Sequence, residues 1–113
     1  MATLFTRIIS GEIPGTIVKQ NDDVVALLDI DPKSPTHVLI VPRKEIATIN
    51  DLALDDASLV GKMVLMARDI AAEQCIADDG YRLVFNVGAD GGQTVEHIHL
   101  HLLGGREMTW PPG

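Results

Sequence analysis

Three histidines near the C-terminal end alternate with apolar residues in the segment HIHLHL at 97–102. Such alternation has the period of a β-strand, in which successive side chains point to opposite faces. We therefore expect His97, His99 and His101 to line one exposed strip, while the apolar residues between them face the core. Three imidazoles on one strip are candidates for chemistry.

Imidazole has an ordinary pKa of about 6.5, so at neutral pH it is mostly uncharged and easily protonated. One ring can therefore attack an electrophile while a second ring donates a proton or a hydrogen bond. When a neutral imidazole attacks phosphorus, the product is a phosphorylated imidazolium, which is a good leaving group for water in a second step. The pattern indicates a two-step displacement at phosphorus.

Two other interpretations of the histidine segment remain open from the residues alone. The rings could be surface groups on a half-buried strand. Two of them could also hold zinc, although the Cα of the third lies about 13 Å from that of the first, and a Zn–N bond is only about 2.1 Å long.

A glycine-rich segment, GADGGQT at 88–94, directly precedes the histidine strand. Glycines let the backbone approach a ligand closely and turn its N–H groups toward an anion. A plain turn between two strands would also contain glycines. Its place before the histidines favours a phosphate-binding loop.

These residues resemble the histidine-triad family, whose signature of three alternating histidines is present here as HIHLHLL at 97–103. The resemblance extends through Asp29-Ile30, residues 34–37, residues 80–82 and Asn86. The C-terminal segment GGREMTWPPG at 104–113 is similar to that of the Hint branch. Membership would imply a homodimeric purine nucleoside phosphoramidase that needs neither a metal nor a cofactor.

The resemblance also implies roles for single residues. His99 would attack the α-phosphorus of a nucleoside phosphoramidate, and water would then release AMP or GMP from the nucleotidyl-histidine. His37 and His97 would orient the nucleophile, whereas His101 would contact the phosphate or protonate the departing amine. Asp29 would bind the ribose hydroxyls. The apolar slot for the base would consist of Phe5, Ile8, Leu27 and Ile30, and the phosphate site of Asn86, Gly92, Gln93, Thr94, His99 and His101.

Two further functions fit the same residues. The substrate could be a dinucleoside polyphosphate or a nucleotide sugar, because the chemistry at phosphorus would be unchanged. The domain could also be a regulatory module in which a bound nucleotide controls association with a protein partner. Relative rates on the two substrate classes, and a test for phosphorus on the protein, separate these possibilities.

The elements that must position these residues follow from periodicity and from turn residues. A short helix is expected at 3–11, with Thr3 as its N-cap, and a long helix at 55–77, with Asp55 as N-cap and Gly80 just beyond its end. Strands are expected at 16–19, 24–30, 36–41, 81–87 and 97–103. This order predicts an α+β domain, a five-stranded antiparallel sheet with one long and one short helix.

Composition limits the partners and the compartment. A chain of 113 residues fits one domain, 1–113. Its formal net charge of -7 disfavours nucleic-acid binding, and its apolar runs are too short to span a membrane. The single cysteine, Cys75, is expected to be buried, and together with the lack of an export signal it indicates a cytoplasmic protein.

Overall fold

The computed structural model describes residues 1–113, which form five strands, two α-helices and two 3₁₀ turns. The elements are α1 (Leu4–Ile9), β1 (Ile17–Gln20), β2 (Val24–Leu28), β3 (Thr36–Pro42), 3₁₀ turns at Ile49–Asp51 and Leu54–Asp56, α2 (Ala57–Glu73), β4 (Tyr81–Phe85) and β5 (Leu100–Gly104). All strand pairs are antiparallel, in the order β1-β2-β3-β5-β4. The predicted fold class is confirmed. None of the helices combines the length and apolar character needed to cross a membrane.

The main core lies between α2 and one face of the sheet. Alternate residues of the strands point to this face, and the helix presents residues spaced three and four apart. The buried contributors include Val24, Ala26, Val38, Ile40, Leu100 and Leu102 from the strands and Met63, Met66, Ala67, Ile70 and Ala71 from the helix. The apolar residues between the histidines, which include Ile98, therefore face the core as predicted.

The opposite face of the sheet is covered only in part, by the short helix α1. Thr3 caps this helix as predicted, since its hydroxyl oxygen accepts a hydrogen bond from the backbone N–H of Thr6. Phe5 packs from α1 onto Val25 and Val41 of the sheet. Phe5 also packs on the rings of His97 and His99, which lie on this side of the sheet.

The long helix differs from its prediction at both ends. It begins at Ala57, after a 3₁₀ turn that contains Asp55, and it ends at Glu73 rather than at residue 77. The end is a Schellman motif in which Cys75 N–H bonds to the carbonyl of Ala72 and Ile76 N–H to that of Ala71. Cys75 has a φ of 59° and is exposed, so the prediction that it is buried was wrong. Its left-handed position just past the helix turns its side chain toward solvent.

The histidine segment also differs from its prediction. Strand β5 begins only at Leu100, so His97 and His99 lie in the irregular segment that leads into it. Both are buried, with exposures of 0% and 7%, and the expected exposed strip does not exist. The cause is α1, whose Phe5 packs edge-to-face on both rings with centroids 5.7 and 5.0 Å away.

Candidate active site

A cavity of about 270 Å³ opens between α1, the start of β1 and the uncovered face of the sheet. Eight of its lining residues belong to the predicted site: Phe5, Ile8, Leu27, Asp29, Ile30, Thr94, His99 and His101. The wall is mainly apolar, and a few polar side chains, which include those of Asp29, Thr94, His99 and His101, complete it. This combination is typical of a small-molecule site, in which an apolar slot holds one part of a ligand and a few polar groups orient the rest.

His99 presents its Nε2 atom to the cavity. Its Nδ1 lies 2.9 Å from the backbone carbonyl oxygen of His97. A carbonyl oxygen only accepts hydrogen bonds, so Nδ1 carries the proton and Nε2 of the neutral ring keeps a lone pair. Nε2 of His99 has no hydrogen-bond partner in the protein. Since every buried polar side-chain atom of the protein has such a partner, Nε2 is not buried, and it is accessible from the cavity that His99 lines.

His97 lies behind His99 and is held at both ring nitrogens. Its Nε2 donates to the carbonyl of Pro42 at 2.8 Å, which leaves Nδ1 as the acceptor of the Thr3 hydroxyl at 2.6 Å. Burial lowers the pKa of His97, although the bond to Pro42 opposes this shift. His97 is therefore a neutral ring that fixes the backbone from which His99 is oriented.

His101 is the second ring at the cavity, and His37 lies behind it. The backbone N–H of Lys33 donates to His37 Nδ1 at 3.0 Å, so the proton of neutral His37 is on Nε2, 2.9 Å from His101 Nδ1. That contact makes His101 Nδ1 the acceptor and leaves the proton of His101 on Nε2. Diagonal placement on β3 and β5 brings the two rings together.

The pKa values of this second pair favour uncharged rings. Burial, followed by repulsion from His99 and His37, lowers the pKa of His101 to about 4. Burial also lowers the pKa of His37, although the nearby carboxylate of Asp29 opposes the shift. At neutral pH, His101 is therefore a neutral hydrogen-bond donor through Nε2.

Asp29 follows β2 and places its carboxylate at the cavity. Its Oδ1 accepts the backbone N–H of Asp31 at 2.8 Å, an Asx turn that ends β2 two residues earlier than predicted. Its Oδ2 lies 3.4 Å from His37 Nε2. Next to it, Ile30 is 97% exposed and also lines the cavity.

Asn86, Gly92 and Gln93 of the predicted phosphate site do not line the cavity, whereas the adjacent Thr94 does. Gln93 is used inside the loop: its amide nitrogen donates to the carbonyls of Ala47 and Val95, and its amide oxygen accepts from Gly88. Asn86 donates to Gly91 at 2.7 Å. These amides fix the shape of the loop that carries Thr94.

Three residues of the site present possible metal ligands. Oxygen or nitrogen atoms of Asp29, His37 and His101 lie within 4.8 Å of one another. The two histidine nitrogens in this group are hydrogen-bonded to each other. An ion would therefore have to displace that hydrogen bond and its proton.

Several cavity residues were missed at the level of sequence. They are Leu4, Pro14, Gly15, Thr16, Leu28, Leu39 and Val95. Leu39 could have been predicted from the sequence, because strand alternation places it on the same face as His37. The Pro14-Gly15 turn carries no comparable signal, since only the packing of α1 against β1 brings it to the cavity.

Two imidazoles, those of His99 and His101, line an apolar cavity that also contains one carboxylate, and each ring is oriented by a hydrogen-bond partner behind it. This arrangement defines a histidine-based ligand site. The model of the HIT domain matches residues 10–108. The chain belongs to the HIT domain family.

Individual relatives agree with this membership. The chain is 49% identical over 106 residues to the purine nucleoside phosphoramidase of Escherichia coli K12. The aligned region covers 94% of this chain and 89% of the relative. A HIT family hydrolase from Legionella pneumophila superposes with a TM-score of 0.96 at 53% identity, covering 99% and 100% of the two chains. A histidine triad nucleotide-binding protein from Candida albicans gives a TM-score of 0.81 at 26% identity, covering 97% and 83%.

Proposed function

We propose that this protein is a hydrolase that cleaves the P–N bond of purine nucleoside phosphoramidates through a nucleotidyl intermediate on His99. The observation that carries the proposal is the bond from His99 Nδ1–H to the carbonyl of His97, which leaves a lone pair on Nε2 at the cavity wall. A pocket that only bound a nucleotide would have no need of an imidazole fixed in this tautomer. The relative named as a purine nucleoside phosphoramidase supports the choice of substrate.

In the first step the lone pair of His99 Nε2 attacks the α-phosphorus. A bond forms between Nε2 and phosphorus, the P–N bond to the leaving group breaks, and its electron pair leaves with the amine. The imidazole becomes an imidazolium bonded to phosphorus. The proton on Nδ1 remains hydrogen-bonded to the carbonyl of His97, which stabilises this positive ring.

In the second step water attacks the same phosphorus. The Nε2–P bond breaks, its electron pair returns to the ring, and the nucleoside monophosphate is released while water gives up a proton to solvent. Because the leaving group is a neutral imidazole, this displacement is easier than direct attack of water on the phosphoramidate substrate. His99 is regenerated in its starting tautomer.

His101 stabilises charge on the phosphoryl group. Its Nε2–H faces the cavity, and its pKa of about 4 leaves it without a spare proton at neutral pH. We therefore assign it a hydrogen bond to a phosphoryl oxygen, and the departing amine takes its proton from water. Thr94, at the end of the glycine-rich loop, also lines the cavity and offers a hydroxyl as a further donor.

The nucleoside part of the substrate would occupy the remaining cavity. Asp29 would accept hydrogen bonds from the ribose hydroxyls, since two carboxylate oxygens suit two neighbouring donors. Phe5, Ile8, Leu27 and Ile30 would contact the base. A stacked base would cover part of Ile30, which is otherwise open to water.

The active form would be a homodimer in the cytoplasm. Strand β4 lies at the edge of the sheet, and Val64 and Leu65 of α2 are exposed at 38% and 48%. A second copy would cover these apolar side chains, which a lone chain leaves in water. Trp110 of the C-terminal segment is also exposed and available to such a partner.

Single-turnover quenching with an adenosine phosphoramidate labelled at phosphorus tests the proposal. Wild-type protein is expected to carry labelled phosphorus on a histidine at early times, and His99→Ala is expected to carry none and to show no turnover. His99→Ala should still bind AMP, because Asp29 and the apolar wall are unchanged. Near-normal turnover by His99→Ala would refute the mechanism.

The substrate class is tested by comparing kcat/KM on an adenosine phosphoramidate and on a diadenosine polyphosphate. We expect the phosphoramidate to be preferred. Preference for the polyphosphate would keep the chemistry and replace the substrate. Nucleotide binding without turnover of either compound by wild-type protein would indicate a binding module instead.

A further inference from the structure

We propose that the hydroxyl of Thr3 is a positioning group for the nucleophile, acting through His97 to hold His99 in its reactive tautomer. The kinetic part of this inference rests on the proposed function above. Thr3 does not line the cavity, so it would contribute without touching the substrate.

The direction of the hydrogen bonds follows from the acceptors. Pro42 offers only a carbonyl oxygen to His97 Nε2, so the proton of that ring is on Nε2. His97 Nδ1 must then accept, and its partner at 2.6 Å is the Thr3 hydroxyl. Thr3 is therefore the donor, and without it a buried ring nitrogen has no partner.

The same hydroxyl links two parts of the site. Its oxygen accepts the backbone N–H of Thr6 at 3.1 Å and so caps α1, the helix that places Phe5 against the rings of His97 and His99. Its proton holds the His97 side chain. The carbonyl of His97 in turn accepts Nδ1–H of His99 at 2.9 Å. Fixing the His97 ring therefore fixes the oxygen that selects the His99 tautomer.

Removal of the hydroxyl has a specific consequence. Loss of a partner for a buried polar atom costs more than loss of an exposed hydrogen bond, so His97 would turn or change tautomer to find one. The carbonyl of residue 97 would then move relative to His99. A fraction of His99 rings would carry the proton on Nε2, where it blocks attack on phosphorus.

Three substitutions of Thr3 separate this role from helix capping. Thr3→Ser keeps both the cap and the donor. Thr3→Val removes both at nearly constant shape. Thr3→Asp keeps a strong N-cap, because aspartate is among the preferred capping residues, but its carboxylate has no proton to give to His97. Ser10→Ala is the matched control, since it removes a hydroxyl from the other end of α1 that bonds only to the carbonyl of Arg7.

The experiment combines kinetics with ¹⁵N NMR of the imidazole rings, which reports the tautomer of His99 without substrate. Thr3→Ser and Ser10→Ala are expected to match wild type. Thr3→Val and Thr3→Asp are expected to show a mixed His99 tautomer and a kcat lower by about tenfold, with KM changed by less than about twofold. Thermal unfolding of each variant identifies those that remain folded.

Three results would overturn the inference. A wild-type His99 spectrum in folded Thr3→Asp or Thr3→Val would show that the hydroxyl does not set the tautomer. Wild-type kcat in Thr3→Asp would reduce Thr3 to a helix cap. Equal losses in Thr3→Ser would point to shape rather than to the donor. If wild-type protein hydrolyses no phosphoramidate, the proposed function fails, whereas the NMR measurement still decides the role of Thr3.

Discussion

Replacing Cys75 by glycine is expected to stabilise the protein. Cys75 has a φ of 59° at the position after the helix cap where glycine is usual. A side chain in this left-handed region costs about 1–2 kcal/mol, and glycine loses about 0.5–1 kcal/mol more backbone entropy on folding than alanine. The exposed thiol makes no hydrogen bond that would be lost. The expected net gain in the free energy of unfolding is about 0.5–1 kcal/mol.

The assay is thermal and urea unfolding under reducing conditions, at one protein concentration because self-association would add to apparent stability. The expected gain corresponds to a rise in Tm of about 2–6 °C for a domain of this size. Cys75→Ala is the matched control: it removes the sulfur and retains the Cβ in the left-handed region. It should leave Tm almost unchanged.

Two outcomes would refute this reasoning. If Cys75→Ala is stabilised as much as Cys75→Gly, the thiol rather than the backbone angle limits stability. If Cys75→Gly is not stabilised at all, the local backbone relaxes and no strain is stored at the end of α2. Activity should be unaffected in either variant, since residue 75 does not line the cavity.

Three other measurements test the site and its surroundings. Gly15→Ala would place a Cβ 2.4 Å from Ile8 Cγ2, so the cavity wall must shift, and KM should rise several-fold with little change in kcat. EDTA should leave the hydrolytic rate unchanged, and a loss restored by zinc would favour a metal at the histidines. Burial lowers the pKa values of His37, His97 and His101, the last from 6.5 to about 4. At a pH between the unfolded and the folded pKa, the unfolded chain binds more protons than the folded chain. Urea unfolding should therefore show a free energy of unfolding that falls as pH drops from neutral to about 5. A flat profile would contradict the assignment of these histidines as buried, neutral rings.

Alternation and turn residues together were sufficient to predict the five strands of the sheet. The strands containing Val38 and Leu102 have the period of two that places every second residue in the core. The first was found at its expected position, whereas the second begins at Leu100 rather than at residue 97. Periodicity identifies which residues share a face, but it does not identify what covers that face. The expected exposure of His97 and His99 was wrong for this reason, since α1 lies nearly 90 residues away in sequence and packs over them.

Prediction of the candidate site succeeded for residues whose side chains have few possible roles. The imidazoles were identified from their spacing and Asp29 from the resemblance to the histidine-triad family, and the structure brings His99, His101 and Asp29 to one cavity. Amides are less restrictive, because they donate and accept equally well. Gln93 and Asn86 were expected to contact phosphate, and in the structure their side chains make hydrogen bonds that hold the loop together. Whether substrate draws them toward the cavity is a question that AMP binding to Gln93→Ala answers.

The acceptor that orients His99 belongs to the peptide backbone. Many enzymes use a carboxylate for this purpose, and a single codon change can delete it. A main-chain carbonyl oxygen is present whatever residue occupies position 97, and it does not ionise. The group that orients the nucleophile therefore neither titrates nor disappears when the side chain at residue 97 is replaced, and it is disturbed by changes that move the chain there.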